Sequence, residues 1–420
     1  MNTATRTEPS QDTGRGTPGG RIISGPLALV FLSEFCALTS FYLLLSVTSM
    51  YAAAVGAGST GAGLVTGVLL AGTVAAELAS SMLMKRYGYR TLLVVGAVLL
   101  GVPALALLSA RPLAIIVIIN LVRGLGFGLS TVVTGALTAV LLPPERRGEG
   151  LGLFGIVATV PGVVALPSGV WLAGHYGYPV VVGMTAATAL VPLAAFPWLP
   201  GAADRRKTGA CAGAGQPIGL LDGLRHDGQL RLFLIFAAST VAAGVVVSFL
   251  PLAAGISGNI AAAGLLAQAL AATISRWWAG RQGDRHGHVR LLVPGLVIAS
   301  LGMTAMIWLT SPAAVIAGMC LFGTGFGISQ NATFVMMIDR MPASGLGAAS
   351  ALWNLAYDAG YGAGPAVFGL FAGHTGYPAA FALTGVLMLA ALPAARRQAR
   401  RSTTRVEDFE RVSRRSSDGR

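Results

Sequence analysis

Charged residues and cysteine are both scarce in this sequence. Only 11% of the 420 residues are charged, whereas 54% are hydrophobic. A soluble domain carries about 25% charged residues, so a chain of this composition does not have enough charge to cover a water-exposed surface. The three cysteines, Cys36, Cys211 and Cys320, lie far apart in sequence and exclude a disulfide-stabilised scaffold. We therefore exclude a soluble globular enzyme and expect an integral membrane protein.

Motifs for cofactor chemistry are also missing. No Walker A sequence is present, which removes ATP as the expected energy source. No Cys/His spacing suits a metal ion, and no nucleophile is paired with a base. The glycine-rich runs at 124–128 and 323–327 lie inside apolar stretches, so they indicate close helix contacts rather than dinucleotide loops. We expect no catalytic residues, no metal and no cofactor.

Long apolar runs are abundant. Twelve of them have the roughly 20 residues that cross a bilayer as a helix. The polar stretches predict a disordered cytoplasmic tail at 1–21, a cytoplasmic linker at 200–230 and a basic cytoplasmic tail at 396–420. The predicted spans are 26–48, 62–84, 91–110, 112–141, 149–173, 179–199, 232–252, 260–279, 290–310, 312–338, 345–371 and 377–395.

Positive charge follows this predicted topology. With the N-terminus inside, 26 of the 29 Lys and Arg residues fall in cytoplasmic segments, and only Arg111 falls in an outside loop. Basic residues concentrate on the cytoplasmic side of membrane proteins, so this bias supports twelve spans with both termini cytoplasmic. It also accounts for the net charge of +13 without a nucleic acid partner. We expect a multi-pass protein of the cell membrane.

An internal repeat divides the chain into two halves. AGHYGYP at 173–179 recurs as AGHTGYP at 372–378, and GLGFGLS at 124–130 recurs as GTGFGIS at 323–329. RYGYR at 86–90 aligns with RHGHV at 285–289, and all three pairs share an offset of 199 residues. We therefore predict two parallel six-helix halves, 22–199 and 231–395. Transporters with such repeats bind substrate between the halves, near the bilayer midplane.

The loops after spans 2 and 8 carry a family signature of the form G-x-L-x-D-R-x-G-R-R. The second-half loop follows it well, and the first-half loop has Lys85 in place of the Asp. Span 4 has Arg123 ahead of a glycine-rich stretch, and a G-x-x-x-G-P sequence occurs on span 11 instead of span 5. With these motifs the sequence resembles the major facilitator superfamily over essentially all of 22–395. The residues that carry the resemblance are Lys85, Arg86, Gly88, Arg123, Gly280, Asp284, Arg285, Gly287, Gly360, Gly364 and Pro365.

The resemblance implies a fold and a mode of action. The fold is all-α and membrane-integral, with twelve transmembrane helices in two six-helix halves around a central cavity. The expected protein is a monomer in the lipid bilayer that binds a small-molecule substrate and alternates between inward- and outward-facing states. It is not expected to be an enzyme. The displaced G-x-x-x-G-P sequence weakens the antiporter assignment but not the superfamily assignment.

Ionisable residues inside spans are costly and therefore functional candidates. Glu34 on span 1 and Arg123 on span 4 are the first pair, because the resemblance places both spans along the central cavity. We expect them to face each other, so that protonation of Glu34 frees Arg123 for a substrate group, or a cationic substrate competes with the proton. The alternative is a permanent ion pair that holds the two helices together.

A polar stripe on span 11 is the second candidate. Asn354, Asp358 and Tyr361 are spaced to share one helix face, and the resemblance places span 11 beside span 2. Asp358 is either a proton or substrate site, one side of a gate, or a partner in an interhelical hydrogen bond. Gln330 and Asn331 on span 10 are cavity donors or, equally, helix–helix contacts.

Conformational roles are predicted for the residues at matched positions of the two halves. The repeat offset matches Glu77 in the first half with Arg276 in the second half, so the two equivalent positions carry opposite charges. The resemblance implies that Asp284 latches the inside closed against the start of span 5, near 145–147, and that Lys85 makes a weaker contact with span 11. The predicted set is Glu77, Lys85, Arg86, Gly88, Arg276, Gly280, Asp284, Arg285, Gly287, Gly360, Gly364 and Pro365.

Three functions remain open at this point. The first is proton-driven export of small apolar or amphiphilic molecules by antiport. The second is proton-coupled uptake of a small nutrient such as a sugar or organic acid. The third, from another class, is a membrane sensor or scaffold that does not transport.

Overall fold

The computed structural model describes residues 24–142, 147–199, 219–226, 228–253 and 257–397. These residues are almost entirely helical. The predicted tails, the loop at 143–146 and most of the 200–230 linker lie outside the described residues. The long helices are α1 Gly25–Ala52, α2 Gly58–Tyr87, α3 Tyr89–Ala106, α4 Leu113–Leu141, α5 Arg147–Tyr176, α6 Tyr178–Leu190, α7 Gln229–Phe249, α8 Gly258–His286, α9 Val289–Ala305, α10 Pro312–Asp339, α11 Leu346–Thr375 and α12 Tyr377–Leu389.

These twelve helices confirm the predicted all-α architecture. We call the end of the bundle where α1 begins and α12 ends the near end, and the opposite end the far end. Ten segments of the described chain have the length and hydropathy of membrane spans, and α1 and α2 together form one of them. Only α11 is missing from that set, because it is rich in glycine and carries Asn354 and Asp358.

Sharp turns between consecutive helices repeat in the two halves. The backbone at Gly88 and Gly287 has φ of 79° and 89°, and at Gly177 and Gly376 it has φ of 82° and 77°. Glycine adopts this left-handed region without the steric penalty that a Cβ imposes, so these positions allow α2–α3, α5–α6 and their counterparts to reverse with almost no loop. Each pair of glycines is separated by the predicted repeat offset.

Packing inside each half also repeats, contact by contact. Gly124 on α4 lies against the carbonyl of Leu69 on α2, and Gly323 on α10 lies against the carbonyl of Gln268 on α8. A Cβ at either glycine would overlap the facing oxygen. Small residues let membrane helices approach closely where no hydrophobic force drives them together. The glycine-rich runs are therefore helix contacts, as predicted.

The two halves meet along α2 with α11, α5 with α8, and α1 with α7. A short helix, Leu220–Arg225, packs on the near end of α11, where Gly223 contacts Ala348 and Leu352. The boundary between the halves is therefore lined by a few helices, and the interior residues of those helices form the candidate site.

Candidate functional site

The far end of the boundary is sealed by hydrogen bonds between the halves. Ser46 on α1 donates to the carbonyl of Val247 on α7 over 2.7 Å. Ser59 on α2 donates to the carbonyl of Gly369 on α11 over 2.9 Å. Both α2 and α11 use glycines here, and Gly362 lies against the Cβ of Leu70. The far end is closed to a substrate in this conformation.

A chain of three hydroxyl groups adds to this seal. Thr66 on α2 lies 2.9 Å from the Ser49 hydroxyl on α1 and 3.0 Å from the Ser248 hydroxyl on α7. Ser49 in turn donates to the carbonyl of Ala62 over 3.0 Å. Ser49 and Ser248 occupy equivalent positions in the repeat, so the chain joins the same point of both halves through one threonine.

The near end of the same boundary carries polar and ionisable side chains. Glu77 on α2 and Asp358 on α11 are electrostatic neighbours across it. One turn further toward the near end, the same helix faces carry Ser81 and Asn354, and both side chains are exposed. Polar side chains of both helices are therefore accessible on the near side of Glu77 and Asp358.

Two carboxyl side chains lie at the boundary between α2 and α11. The side chains of Glu77 and Asp358 are neighbours across the boundary, and Asp358 is only 9% exposed. An ionised carboxylate can accept but not donate, so a hydrogen bond between two carboxyl groups requires a proton on one of them. Close approach of these two groups across the boundary is therefore favoured when a proton is bound between them.

Glu34 is buried between α1 and α4. Its carboxylate accepts a hydrogen bond from the Thr134 hydroxyl, and its side chain is 4% exposed. Both helices belong to the first half, so this contact does not bridge the boundary. Glu34 is nevertheless an ionisable group at membrane depth with a single hydrogen-bond donor among the described residues, which keeps it a candidate proton site.

The predicted contact between Glu34 and Arg123 is wrong. Arg123 is fully buried and donates to the carbonyls of Leu100 and Ser40 and to the Asn120 side chain over 3.3–3.5 Å. Thr134, which holds Glu34, lies eleven residues beyond Arg123 on α4, or about 16 Å along the helix axis. That separation is too long for an ion pair, so Arg123 instead ties α1, α3 and α4 together.

Arg276 on α8 is the cation that reaches the cavity. Its side chain is exposed, and its guanidinium carbon lies 6.0 Å from the centre of the Trp353 ring on α11. The hydroxyl groups of Tyr42 and Tyr357 are its electrostatic neighbours. Among the described residues, no carboxylate lies within ion-pair distance of it. The position that the repeat matched to Glu77 thus lies inside the site.

Aromatic side chains form the wall beside Arg276. Trp353, Tyr357 and Tyr361 succeed each other by one helical turn on α11, and Tyr357 and Tyr361 stack with ring centres 5.4 Å apart. Phe236 stacks on Trp353 at 4.6 Å. Tyr42 on α1 is an electrostatic neighbour of Tyr357 across the boundary.

Tyr42 is the functional candidate that the sequence reasoning missed. It belongs to no motif, and the equivalent residue in the second half is Val241. Neither the motifs nor the repeat therefore identifies Tyr42. One signal was present: Tyr42 is a hydroxyl-bearing aromatic residue near the middle of an apolar span. Its depth along α1 places it level with the polar stripe of α11.

Other predicted residues separate into cavity and packing positions. Asn354 is exposed on α11, and Tyr361 is buried at the closed part of the boundary. Asn331 lies beside Gly280 on α8, in the contact between α8 and α10. Gln330 is 8% exposed on α10. Of the two roles predicted for Asn331, the structure therefore favours a helix–helix contact over a donor in the cavity.

The G-x-x-x-G-P sequence of α11 serves two contacts. Gly360 and Gly364 lie against Thr240 and the Val241 carbonyl on α7, inside the second half. The Pro365 carbonyl faces Gly63 on α2, across the boundary. The motif therefore holds α11 against α7 and at the same time brings it close to α2.

The predicted loop latch is described only in part. Asp284 is 78% exposed at its side chain and lies 3.7 Å from the His288 ring, one turn along. Its expected partners at 145–147 lie outside the described residues or have no described side chain. At the near end Lys85, Arg86 and Arg285 are all exposed. The latch remains a prediction.

Two repeated six-helix halves with a polar and aromatic boundary between them have the architecture of transporters that bind substrate between their halves. The sequence matches the Major Facilitator Superfamily over residues 30–358 and 232–416. An uncharacterized MFS-type transporter of Methanocaldococcus jannaschii is 21% identical over 358 residues, which cover 82% of this chain and 90% of that protein. The chain belongs to the Major Facilitator Superfamily, and it is a membrane transporter rather than an enzyme.

Solved structures share the same fold. The inward-open xylose transporter XylE from E. coli superposes with a TM-score of 0.67 at 15% identity, over 88% of this chain and 94% of that one. A bacterial homolog of the human lysosomal transporter Spinster, in an inward-facing and unoccupied conformation, gives 0.69 at 15% identity, over 89% and 96%. At these identities the likeness concerns the fold alone.

Proposed function

We propose that the protein is a proton-coupled secondary transporter that exports small apolar or amphiphilic molecules by proton antiport. The observation that carries this proposal is the Glu77–Asp358 carboxyl pair at the boundary between the halves. Loss of the shared proton leaves two adjacent carboxylates, which repel each other strongly in a medium of low dielectric. Proton release therefore separates α2 from α11 at this level, and proton binding rejoins them.

The cavity walls support an amphiphilic substrate. Tyr357, which is partly exposed between the buried Trp353 and Tyr361, presents an apolar ring with a single hydroxyl group. A sugar has many hydroxyl groups, and each one needs a partner when it leaves water. An aromatic cavity instead suits a molecule with a large apolar body. We place the near end on the cytoplasmic side because the basic residues concentrate there, so the cavity loads from inside.

The test is proton movement in proteoliposomes that hold a pH dye inside. A panel of lipophilic cations, lipophilic anions, neutral amphiphiles and sugars is added outside. Antiport predicts that a transported compound drives protons out of the vesicle as it enters. Entry of protons together with the compound would show symport and overturn the proposed direction.

Variants connect the proton movement to the carboxyl pair. Asp358→Asn and Glu77→Gln keep the polar contact without an exchangeable proton, so we expect them to lose coupled proton movement and to retain substrate exchange. Asp339→Asn, an exposed carboxylate at the near end of α10, is the matched control and should behave as the wild type. A sensor or scaffold would show no compound-dependent flux in any variant.

A further inference from the structure

We propose that Arg276 and the aromatic wall of α11 form a subsite for an organic anion, in which the guanidinium binds a carboxylate and the rings hold an aromatic body. The inference rests on the proposed function, since it names the class of substrate that the exporter carries. Arg276 was expected only as a gating residue, and Arg123 as the anion-binding cation.

The first observation is the state of the Arg276 side chain. It lies more than halfway along α8, yet it is exposed and has no carboxylate partner in the described part of the chain. An unpaired cation at membrane depth is costly and marks a substrate or ion path. Arg123 shows the contrast, because its donors are used by Leu100, Ser40 and Asn120.

The second observation is the geometry of the guanidinium. It lies over the Trp353 ring at 6.0 Å, a cation–π arrangement in which the indole face covers one side of the group. The N–H donors of a guanidinium point outward in its plane and match the two oxygens of a carboxylate. The contact with Trp353 thus orients the group while leaving its edge available to a ligand.

The third observation is the length of the aromatic wall. From Trp353 to Tyr361 the aromatic side chains rise about 12 Å along α11; Tyr357, between them, is partly exposed, whereas Trp353 and Tyr361 are 9% and 5% exposed. We expect a fused bicyclic ring to pack on the exposed part of Tyr357 when its acidic group is held at Arg276. The nearby carboxyl pair does not oppose an anion as long as a proton is bound between Glu77 and Asp358, because the pair then carries less negative charge.

The experiment compares two probes that share one ring system. Naphthalene-1-acetate carries a carboxylate, and 1-naphthaleneacetamide is its neutral counterpart of nearly equal size. Binding to the purified full-length protein in detergent is measured by calorimetry. We expect the acetate to bind at least 10-fold more tightly than the amide in the wild type.

Variants assign that preference to Arg276. Arg276→Gln should reduce the ratio of the two dissociation constants to about 1 with the affinity for the amide unchanged, and Arg276→Lys should retain part of the preference. Arg281→Gln is the matched control, because Arg281 lies on the same helix and over a tryptophan, Trp277, at 5.1 Å. It should keep the full preference. Melting temperatures establish that each variant is folded.

The outcomes separate this proposal from the proposed function. Failure of the acetate to bind the wild type, equal affinity for both probes, or a preference that survives in Arg276→Gln would overturn the subsite. None of these results depends on a proton gradient. Binding as expected together with an absence of proton movement in proteoliposomes would support the subsite and overturn the coupling.

Discussion

A methyl group at Gly362 should open the far end of the protein. The ideal Cβ position at Gly362 lies 2.7 Å from the Cβ of Leu70, across the boundary between α11 and α2. Carbon atoms in contact are separated by about 3.5–4.0 Å, so Gly362→Ala requires the helices to move apart by about 1 Å. Neither Cβ can rotate away. Overpacking of this kind costs about 1–3 kcal/mol, which shifts the equilibrium from far-end closed to far-end open by about 5- to 150-fold.

Distances between spin labels measure that shift. Cysteines at Arg111 and Thr310, both exposed and equivalent in the repeat, report on the far end in a background without the native cysteines. Cysteines at Tyr87 and His286 report on the near end in the same way. In Gly362→Ala the far-end distance should lengthen and the near-end distance should shorten.

Two further glycines calibrate the effect. Gly67→Ala places a methyl group 3.1 Å from the Cβ of Ala366, so its shift should have the same sign and a smaller size. A Cβ at Gly135 on α4 meets nothing within 4 Å, and Gly135→Ala should leave both distances unchanged. Unchanged distances in a folded Gly362→Ala protein, or an equal shift in Gly135→Ala, would refute the steric reasoning.

Three other substitutions test separate contacts. Thr66→Val removes the central hydroxyl of the far-end chain, and we expect the far-end closed state to become less stable by about 1 kcal/mol relative to the open state. The same spin labels should then report a larger fraction of molecules with an open far end. Gly124→Ala should lower the free energy of unfolding in detergent by about 1–3 kcal/mol, and an unchanged melting curve would contradict the close α2–α4 contact. Arg123→Gln should lower the free energy of unfolding by a similar amount, because the Leu100 and Ser40 carbonyls lose their hydrogen-bond donor. Normal stability together with a loss of coupled proton movement would instead indicate a role for Arg123 in the cavity.

Much of the fold follows from the sequence because the repeat constrains it twice. The 199-residue offset relates not only the motifs but also individual contacts, such as Gly124 with Leu69 and Gly323 with Gln268. The number of spans follows from apolar length, and the expected orientation follows from the placement of basic residues; both are local properties. Such properties need no knowledge of which helices touch.

The site was less predictable because it depends on depth and rotation together. Glu34 and Arg123 are single charges on neighbouring helices, but Arg123 lies about nine residues deeper from the near end. Counting residues from the helix ends would have revealed this difference of about 14 Å. The contact of Asp358 with the polar stripe of α2 was foreseen as one of several possibilities. Tyr42 was not foreseen, since its role depends on a partner in the other half.

The hydroxyl chain at the far end has a direction. Each hydroxyl carries a single hydrogen atom, and the hydrogen of Ser49 is used on the Ala62 carbonyl. Thr66 must therefore donate to Ser49, and Ser248 must donate to Thr66. The hydrogen bonds therefore run in one order, from Ser248 in the second half through Thr66 and Ser49 to the Ala62 carbonyl in the first half, and each bond polarises the next. The chain is therefore cooperative: rotation of one hydroxyl weakens the hydrogen bonds of its neighbours, so its three bonds break together rather than one at a time.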